Sequence, residues 1–234
     1  MKKQVAVAII VAAGKGTRMG QKHNKLLLPL GTRTILEFSI DTFLVHSRIS
    51  KIFLSVSSEV RYNFENHFPE KVKMVNGGKR RQDSVHNALL TIMQEKIIPE
   101  LVLVHDAARP FCSGELIDSI IDSANTYGAA IPILPVVDTI RIVSGEKTRI
   151  VDRNELFSVQ TPQGFQTKII KDASIQAIEK KWEVTDDAAL IEKIGGKVKT
   201  VLGDPQNFKI TTPTDLERAK LTKEYFTRKN NKTQ

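Results

Sequence analysis

VAAGKGTRMG, residues 11–20, places two glycines one residue apart among basic residues, directly after the apolar run VAVAIIV at Val5–Val11. A continuous apolar run of that length is how a buried parallel strand reads, because both of its faces are covered. A glycine loop at the end of such a strand lets backbone N–H groups approach an anion closely. The loop matches neither familiar phosphate motif. A dinucleotide fingerprint requires G-x-G-x-x-G, but here the third glycine is one place late, as Gly14, Gly16 and Gly20. The P-loop string G-x-x-x-x-G-K-[ST] is found nowhere in the chain.

Working outward, segments with strand and helix patterns alternate. The pattern predicts a helix over Thr34–His46, with Leu36, Ile40, Phe43 and Leu44 on one face and Thr34 and Glu37 as a capping box. A strand at Ile52–Val56, a helix near Glu59–Phe68 and a short strand at Val72–Val75 follow, the last ending in Asn76-Gly77-Gly78. A helix over Gln82–Gln94 leads to a strand at Leu101–Val104 that stops at His105-Asp106. The helix Leu116–Tyr127 ends at Gly128, a favourable C-terminal residue, before a strand at Ala129–Leu134. This rhythm predicts a Rossmann-like α/β fold, a mostly parallel sheet flanked by helices. Ligands on such sheets bind beyond the carboxyl ends of the strands. The glycine loop, Gly77-Gly78 and His105-Asp106 all fall there.

The rhythm breaks at Val136. VVDTIRIV and TRIVD flank Ser144-Gly145-Glu146 and predict a protruding β-hairpin arm at about 136–155. A lone hairpin is marginal in water, so the arm is expected to pack on something, a second subunit being the obvious candidate. Helices are predicted near Lys168–Lys180 and Asp186–Ile194, the second with Thr185 as N-cap and Gly195 beyond its end. A strand at Val198–Leu202 and a last helix opening at Thr212-Pro213 complete the chain.

Bulk properties restrict the function. The 234 residues suit one large domain or a domain with an excursion, and a hydrophobic content of 41% supports a core. The start, MKKQVAVAIIVAAGKG, mimics a signal peptide, but cleavage there would destroy the glycine loop, so it reads as a buried first strand. No apolar run is long enough to span a membrane. The single Cys112 excludes a disulfide framework and fits a cytoplasmic protein. The net charge of +9 suits anionic ligands, but the basic residues are scattered and aromatics are only 6%, which argues against nucleic acid as a partner.

The strings AAGKGTRM with Asn24-Lys25, GGKRRQDSV, VHDAARP, DTI, VDRNELFSVQTPQGF, VTDDAALIE and NFKITTP run in order from end to end. In them the chain resembles the 2-C-methyl-D-erythritol 4-phosphate cytidylyltransferase family of the non-mevalonate isoprenoid pathway. The resemblance implies a single nucleotidyltransferase domain over residues 1–234, of the nucleotide-diphospho-sugar transferase type. Two positions depart from the family's pattern: Val11, where proline is usual, and Lys79, where many members have aspartate. The ribitol-5-phosphate cytidylyltransferase family shares the glycine loop, T-P-Q and the final N-x-K-x-T-x-P. Asp152-Arg153, Ala108 and Thr185-Asp186-Asp187 favour the methylerythritol reading. A non-catalytic nucleotide- or nucleic-acid-binding module is the alternative of a different class.

Nucleotidyl transfer needs positioning and charge stabilisation rather than a covalent nucleophile. Arg18 and Lys25 are therefore expected as catalytic cations, and the backbone of Ala12, Ala13, Gly14 and Gly16 is expected to face CTP. The resemblance puts Gly78 and Ser84 at the cytosine, although Ser84 also suits a helix cap, and puts Asp106 and Ala107 at the ribose. A divalent ion, Mg²⁺ by expectation, should bridge the phosphates, and Asp106 is a candidate ligand for that ion or for a ribose hydroxyl. The resemblance further assigns Arg109, Thr139, Arg153, Thr161, Thr185 and Lys209 to methylerythritol phosphate. It implies a homodimer whose arms carry Thr139 and Arg153 into the neighbouring site. Lys209, expected on a short strand, would need an anionic partner if buried. His105 lacks the surroundings of a nucleophilic triad and is expected to be structural.

Overall fold

The computed structural model describes residues 5–14 and 24–231, with side chains up to residue 224. The opening apolar run forms β1 (Ala6–Ala12), parallel to β4 (Ile49–Val56) on one side and β6 (Leu101–Asp106) on the other. Alternate side chains of β1 enter opposite layers. Ala6, Ala8, Ile10 and Ala12 pack with α1 (Ile35–Val45) and α4 (Gly114–Tyr127), while Val7 and Ile9 pack with α3 (Arg81–Ile92) and α5 (Thr167–Glu179). This two-sided burial explains why the run carries no polar alternation.

β5 (Val72–Asn76) extends the parallel sheet beyond β4, and β7 (Ala129–Pro135) lies on the far side of β11 (Gln163–Gln166) from β6. β11 is antiparallel to both β6 and β7. β7 also pairs with β10 (Phe157–Val159, antiparallel) and β12 (Lys199–Leu202, parallel), making an eight-stranded sheet. Two short strands, β2 (Pro29–Leu30) and β3 (Arg33–Thr34), pair ahead of α1, and the long α7 (Pro213–Asn231) closes the chain. The capping box at α1 is present, with the Thr34 side chain accepting from the Glu37 N–H and the Glu37 carboxylate accepting from the Thr34 N–H.

Several sequence expectations need correction. The helix predicted near Glu59–Phe68 is the short α2 (Ser58–Asn63), after which Asn66 turns left-handed at φ 58°. β10 and β11 have no counterpart in the apolar pattern. α6 (Ala188–Lys193) has Asp187, not Thr185, at its N-cap. Lys209 lies in a loop rather than a strand, and Ser84 lies inside α3, whose N-cap is Arg80. The arm is present as β8 (Arg141–Ser144) and β9 (Lys147–Ile150), paired only with each other and exposed along its length. Thr139 precedes this hairpin, and Arg153 follows it on a 3₁₀ turn, Arg153–Glu155.

Candidate active site

Strand register builds the site. Val11 pairs with Asp106 on one side and Ser55 on the other, and Val56 pairs with both Ala12 and Asn76. The carboxyl ends of β1, β4, β5 and β6 therefore form one rim, with the loops after β1 and β5 side by side. Gly77 and Gly78 are required there by close approach. A Cβ on Gly77 would collide with the Ala13 side chain, and one on Gly78 with Asp83. The rim borders a cleft of about 350 Å³, lined by Ala13, Gly14 and Gly78 and by Lys25, Lys79, Arg80, Arg81, Ser84, Asp106 and Lys209, among others.

Of the expected site residues, Ala13, Gly14, Lys25, Gly78, Ser84, Asp106 and Lys209 line this cleft. Arg18 and Gly16 lie outside the described residues. Ala12 is buried at the end of β1. Ala107 is buried too; its N–H donates to the Val11 carbonyl and its carbonyl accepts from the Ser39 hydroxyl, and its neighbour Ala108 reaches the lining instead. The Ser84 hydroxyl accepts from the Gly78 N–H at 3.0 Å and donates to the Arg80 carbonyl at 3.1 Å. It thus holds the loop after β5 against the first turn of α3.

The cations are held in place by internal acceptors. Lys25 Nζ donates to the Ile210 carbonyl at 2.6 Å, and Lys209 Nζ donates to Asp106 Oδ2 at 2.7 Å. Arg81 Nε reaches Asp106 Oδ1 at 2.9 Å, and its Nη1 reaches Asp187 Oδ2 at 2.7 Å. Arg81 Nη2 is buried with no hydrogen-bond partner among the described residues. Burial alone would push the Asp106 carboxyl up; the Arg81 and Lys209 charges outweigh it and hold the carboxyl well below the usual carboxylate range. The expected anionic partner of Lys209 is thus Asp106.

Fit to a metal ion is poor on the protein side. Among the described residues no three His, Cys, Asp or Glu side chains gather as a cluster. Asp106 is the one acidic residue among those lining the cleft, and each of its oxygens already carries a cation.

The remaining candidates are not among the residues that line the cleft. Arg109 donates through Nη1 to the Asn207 carbonyl at 2.8 Å. Thr139 and Thr185 are exposed, and Arg153 donates to the Val137 carbonyl at 2.7 Å. Sequence reading missed the roles of Arg81, Asn24, Gln160 and Gln163. Asn24 joins the two ends of the glycine loop by donating from Nδ2 to the Gly14 carbonyl at 2.9 Å. Gln160 Nε2 donates to the Asp204 carbonyl at 2.9 Å while its Oε1 accepts from the Asp204 N–H at 3.1 Å. The available signal was that these polar residues lie within otherwise apolar or turn-forming motifs.

Helices on both faces of a mostly parallel sheet, with a glycine-edged cationic cleft at the strand ends, define a nucleotide-binding α/β protein of the Rossmann-like kind. Comparison with known proteins narrows the class. The profile of the family described as 2-C-methyl-D-erythritol 4-phosphate cytidylyltransferase matches residues 6–224, and the chain belongs to that family. Curated relatives of that description include one from Bacillus cereus, 40% identical over 214 residues, covering 89% of this chain and 93% of the relative. Another, from Geobacillus kaustophilus, is 39% identical over 217 residues, with 89% and 92% covered. The crystal structure of 2-C-methyl-D-erythritol 4-phosphate cytidylyltransferase from Thermus thermophilus is 33% identical, with a TM-score of 0.77, covering 93% of this chain and 98% of that one. The 4-diphosphocytidyl-2C-methyl-D-erythritol synthase from Anaerococcus prevotii is 28% identical, with a TM-score of 0.79, covering 94% and 99%.

Behind the cleft, His105 is fully buried on β6. Its Nε2 lies 3.1 Å from the Arg109 carbonyl and must carry the proton, since a carbonyl only accepts. Nδ1 then accepts from the Thr161 hydroxyl at 3.1 Å, and that same hydroxyl accepts from the Asp106 N–H at 3.0 Å. The Thr161 hydroxyl is thus occupied within the fold. Burial pushes the His105 pKa down to about 4 from an ordinary 6.5. The unfolded chain therefore takes up this proton first on acidification. Stability from this group is complete above pH 6.5 and is lost as pH falls towards 4. The full span corresponds to about 3 kcal/mol. His105→Gln should flatten the fall of unfolding free energy across that window, measured by denaturant titration at several pH values. An unchanged slope would show that His105 is not held neutral by the fold.

Proposed function

We propose that the chain transfers the cytidylyl group of CTP to 2-C-methyl-D-erythritol 4-phosphate, giving 4-diphosphocytidyl-2-C-methyl-D-erythritol and pyrophosphate. Family membership over residues 6–224 carries this reading. The one eight-stranded sheet at the centre of the fold supports treating residues 1–234 as one nucleotidyltransferase domain. An oxygen of the methylerythritol phosphate attacks the α-phosphorus of CTP in line, a new P–O bond forms, and the bond to the β-phosphate breaks. Electrostatic preorganisation is the protein's main contribution to such a step.

In this reading the backbone of Ala12, Ala13, Gly14 and Gly16 cradles the triphosphate, with Arg18 and Lys25 at the reacting phosphates. Gly78 and Ser84 face the cytosine, while Asp106 stands at the ribose, on a strand end that buried Ala107 fixes through its N–H to the Val11 carbonyl. Lys209 and Arg109, with Thr185, serve the second substrate, and Thr161 acts only indirectly, by holding the Asp106 N–H. A magnesium ion would travel with the nucleotide phosphates, since the described residues offer it no cage. Among the described residues no helix is long and apolar enough to cross a membrane, and the one cysteine, buried Cys112, supports a reducing, cytoplasmic location.

The direct test is pyrophosphate release with CTP, magnesium and either 2-C-methyl-D-erythritol 4-phosphate or ribitol 5-phosphate. Release with the first alone is expected. Lys25→Ala should lower kcat by about 10²-fold, the scale on which one preorganised donor acts. Near-wild-type turnover in that variant would sink the role given to Lys25.

The exposed arm supports a homodimer. Val137, Val143, Ile150 and Phe157 are 80%, 67%, 61% and 47% exposed, an unusual display of apolar side chains on and beside a two-stranded hairpin. Covering them with a second copy would carry Thr139 and Arg153 towards the neighbour's cleft, where an arginine fork suits a phosphate. Mixing Lys25→Ala with Arg153→Ala subunits then gives, in each mixed dimer, one site with both defects and one with neither. Activity should return towards about a quarter of wild type at equal amounts and random pairing. Verified subunit exchange with no recovery would place Arg153 in its own chain's site.

A further inference from the structure

We propose that Gln163 is a positioning residue for the second substrate, acting through the Thr185–Asp186–Asp187 turn; this rests on the function proposed above. Gln163 is fully buried at the start of β11, where it pairs with Val104 of β6, two residues before Asp106. Its side chain reaches across to the start of α6. Oε1 accepts from the N–H groups of Asp187 and Ala188, both at 3.2 Å. Nε2 donates to Asp186 Oδ2 at 3.0 Å, and Asp186 Oδ1 accepts from the Ala189 N–H at 3.1 Å. One amide therefore fastens the residues immediately after Thr185 to β11, next to the end of β6 that carries Asp106.

The geometry requires an amide. The acceptor end satisfies two N–H groups at the start of a helix, where no intrahelical partner exists. The donor end meets a carboxylate. Glutamate would keep the acceptors but set a second carboxylate against Asp186, and an apolar residue would leave buried N–H groups unpaired. A second tie meets the same turn from the other side, because Arg81 joins Asp187 to Asp106. The Thr185 turn is thus indexed to Asp106 twice, once through β11 and once through α3. Neither Gln163 nor Asp186 lines the cleft, so an effect on one substrate would pass through the position of the turn.

The test uses the full-length protein at a temperature well below unfolding. Gln163→Glu should raise KM for 2-C-methyl-D-erythritol 4-phosphate by about tenfold, the scale of one lost charge-assisted hydrogen bond, with KM for CTP within about twofold of wild type. Adding Asp186→Asn should restore the lower KM. The amide and the carboxylate would then have changed places: the new amide would donate to the new carboxylate and still accept from the Ala189 N–H, and the pair would again carry a single negative charge. Equal changes in both KM values, or a double variant no better than Gln163→Glu, would overturn the proposal. A wild-type protein that releases no pyrophosphate would instead sink the substrate assignment. The positioning claim would then be decided by hydrogen exchange at the Asp187 and Ala188 amides, which Gln163→Glu should speed and the double variant should slow; unchanged exchange would overturn it.

Discussion

A buried carboxylate must be compensated, and Asp106 is compensated twice. Arg81 on α3 takes one of its oxygens and Lys209, from the loop before α7, takes the other. The two cations come from segments far apart in sequence, so the end of β6 becomes the point at which three parts of the chain must meet. Removing either partner would leave charge in a place where water is scarce, which is why the arrangement fixes position as well as charge. Arg81 extends the constraint to Asp187, and the Lys25 contact with the Ile210 carbonyl extends it to the segment after the glycine loop. These contacts organise the site through the fold itself, the condition under which electrostatic stabilisation costs least reorganisation.

Much of this architecture was legible because apolar pattern and capping chemistry act locally. Val5–Val11 reads as a two-sided strand, Thr34 and Glu37 as a capping box, and Gly128 as a helix end, and each corresponds to the observed element. The segment QGFQ of β11 carries no such signal. It lies inside the sheet, yet both its ends are glutamines, and Gln163 is tolerated there because both ends of its amide are hydrogen-bonded by residues more than twenty positions away. The true N-cap of α6 was obscured for a related reason. Thr185 has a good capping side chain, but the tertiary ties to Asp186 and Asp187 start the helix later. The candidate site was legible where backbone and glycine chemistry define it, and illegible where long-range side-chain pairs do.

Lysine and arginine divide the work at the cleft. The arginines bridge. Arg81 joins two buried carboxylates, and Arg80 joins Asp83 at 2.8 Å to Glu183 at 2.9 Å, tying α3 to the segment before α6. Away from the site, buried Arg48 does the same for Asp118 and Asp122 on α4. A planar fork with several donors suits such work, and little freedom is lost for each bond made. The lysines are differently placed. Lys209 keeps a partly exposed ammonium on Asp106, Lys25 reaches a neutral carbonyl, and Lys79 is exposed at the rim. An ammonium on a flexible stem can turn from such an acceptor towards a phosphate while the arginine framework stays fixed. Under the proposed reading, the basic character of the chain thus has two sources at this site: guanidinium groups already committed to the fold, and ammonium groups held close to where the phosphates of two substrates would meet.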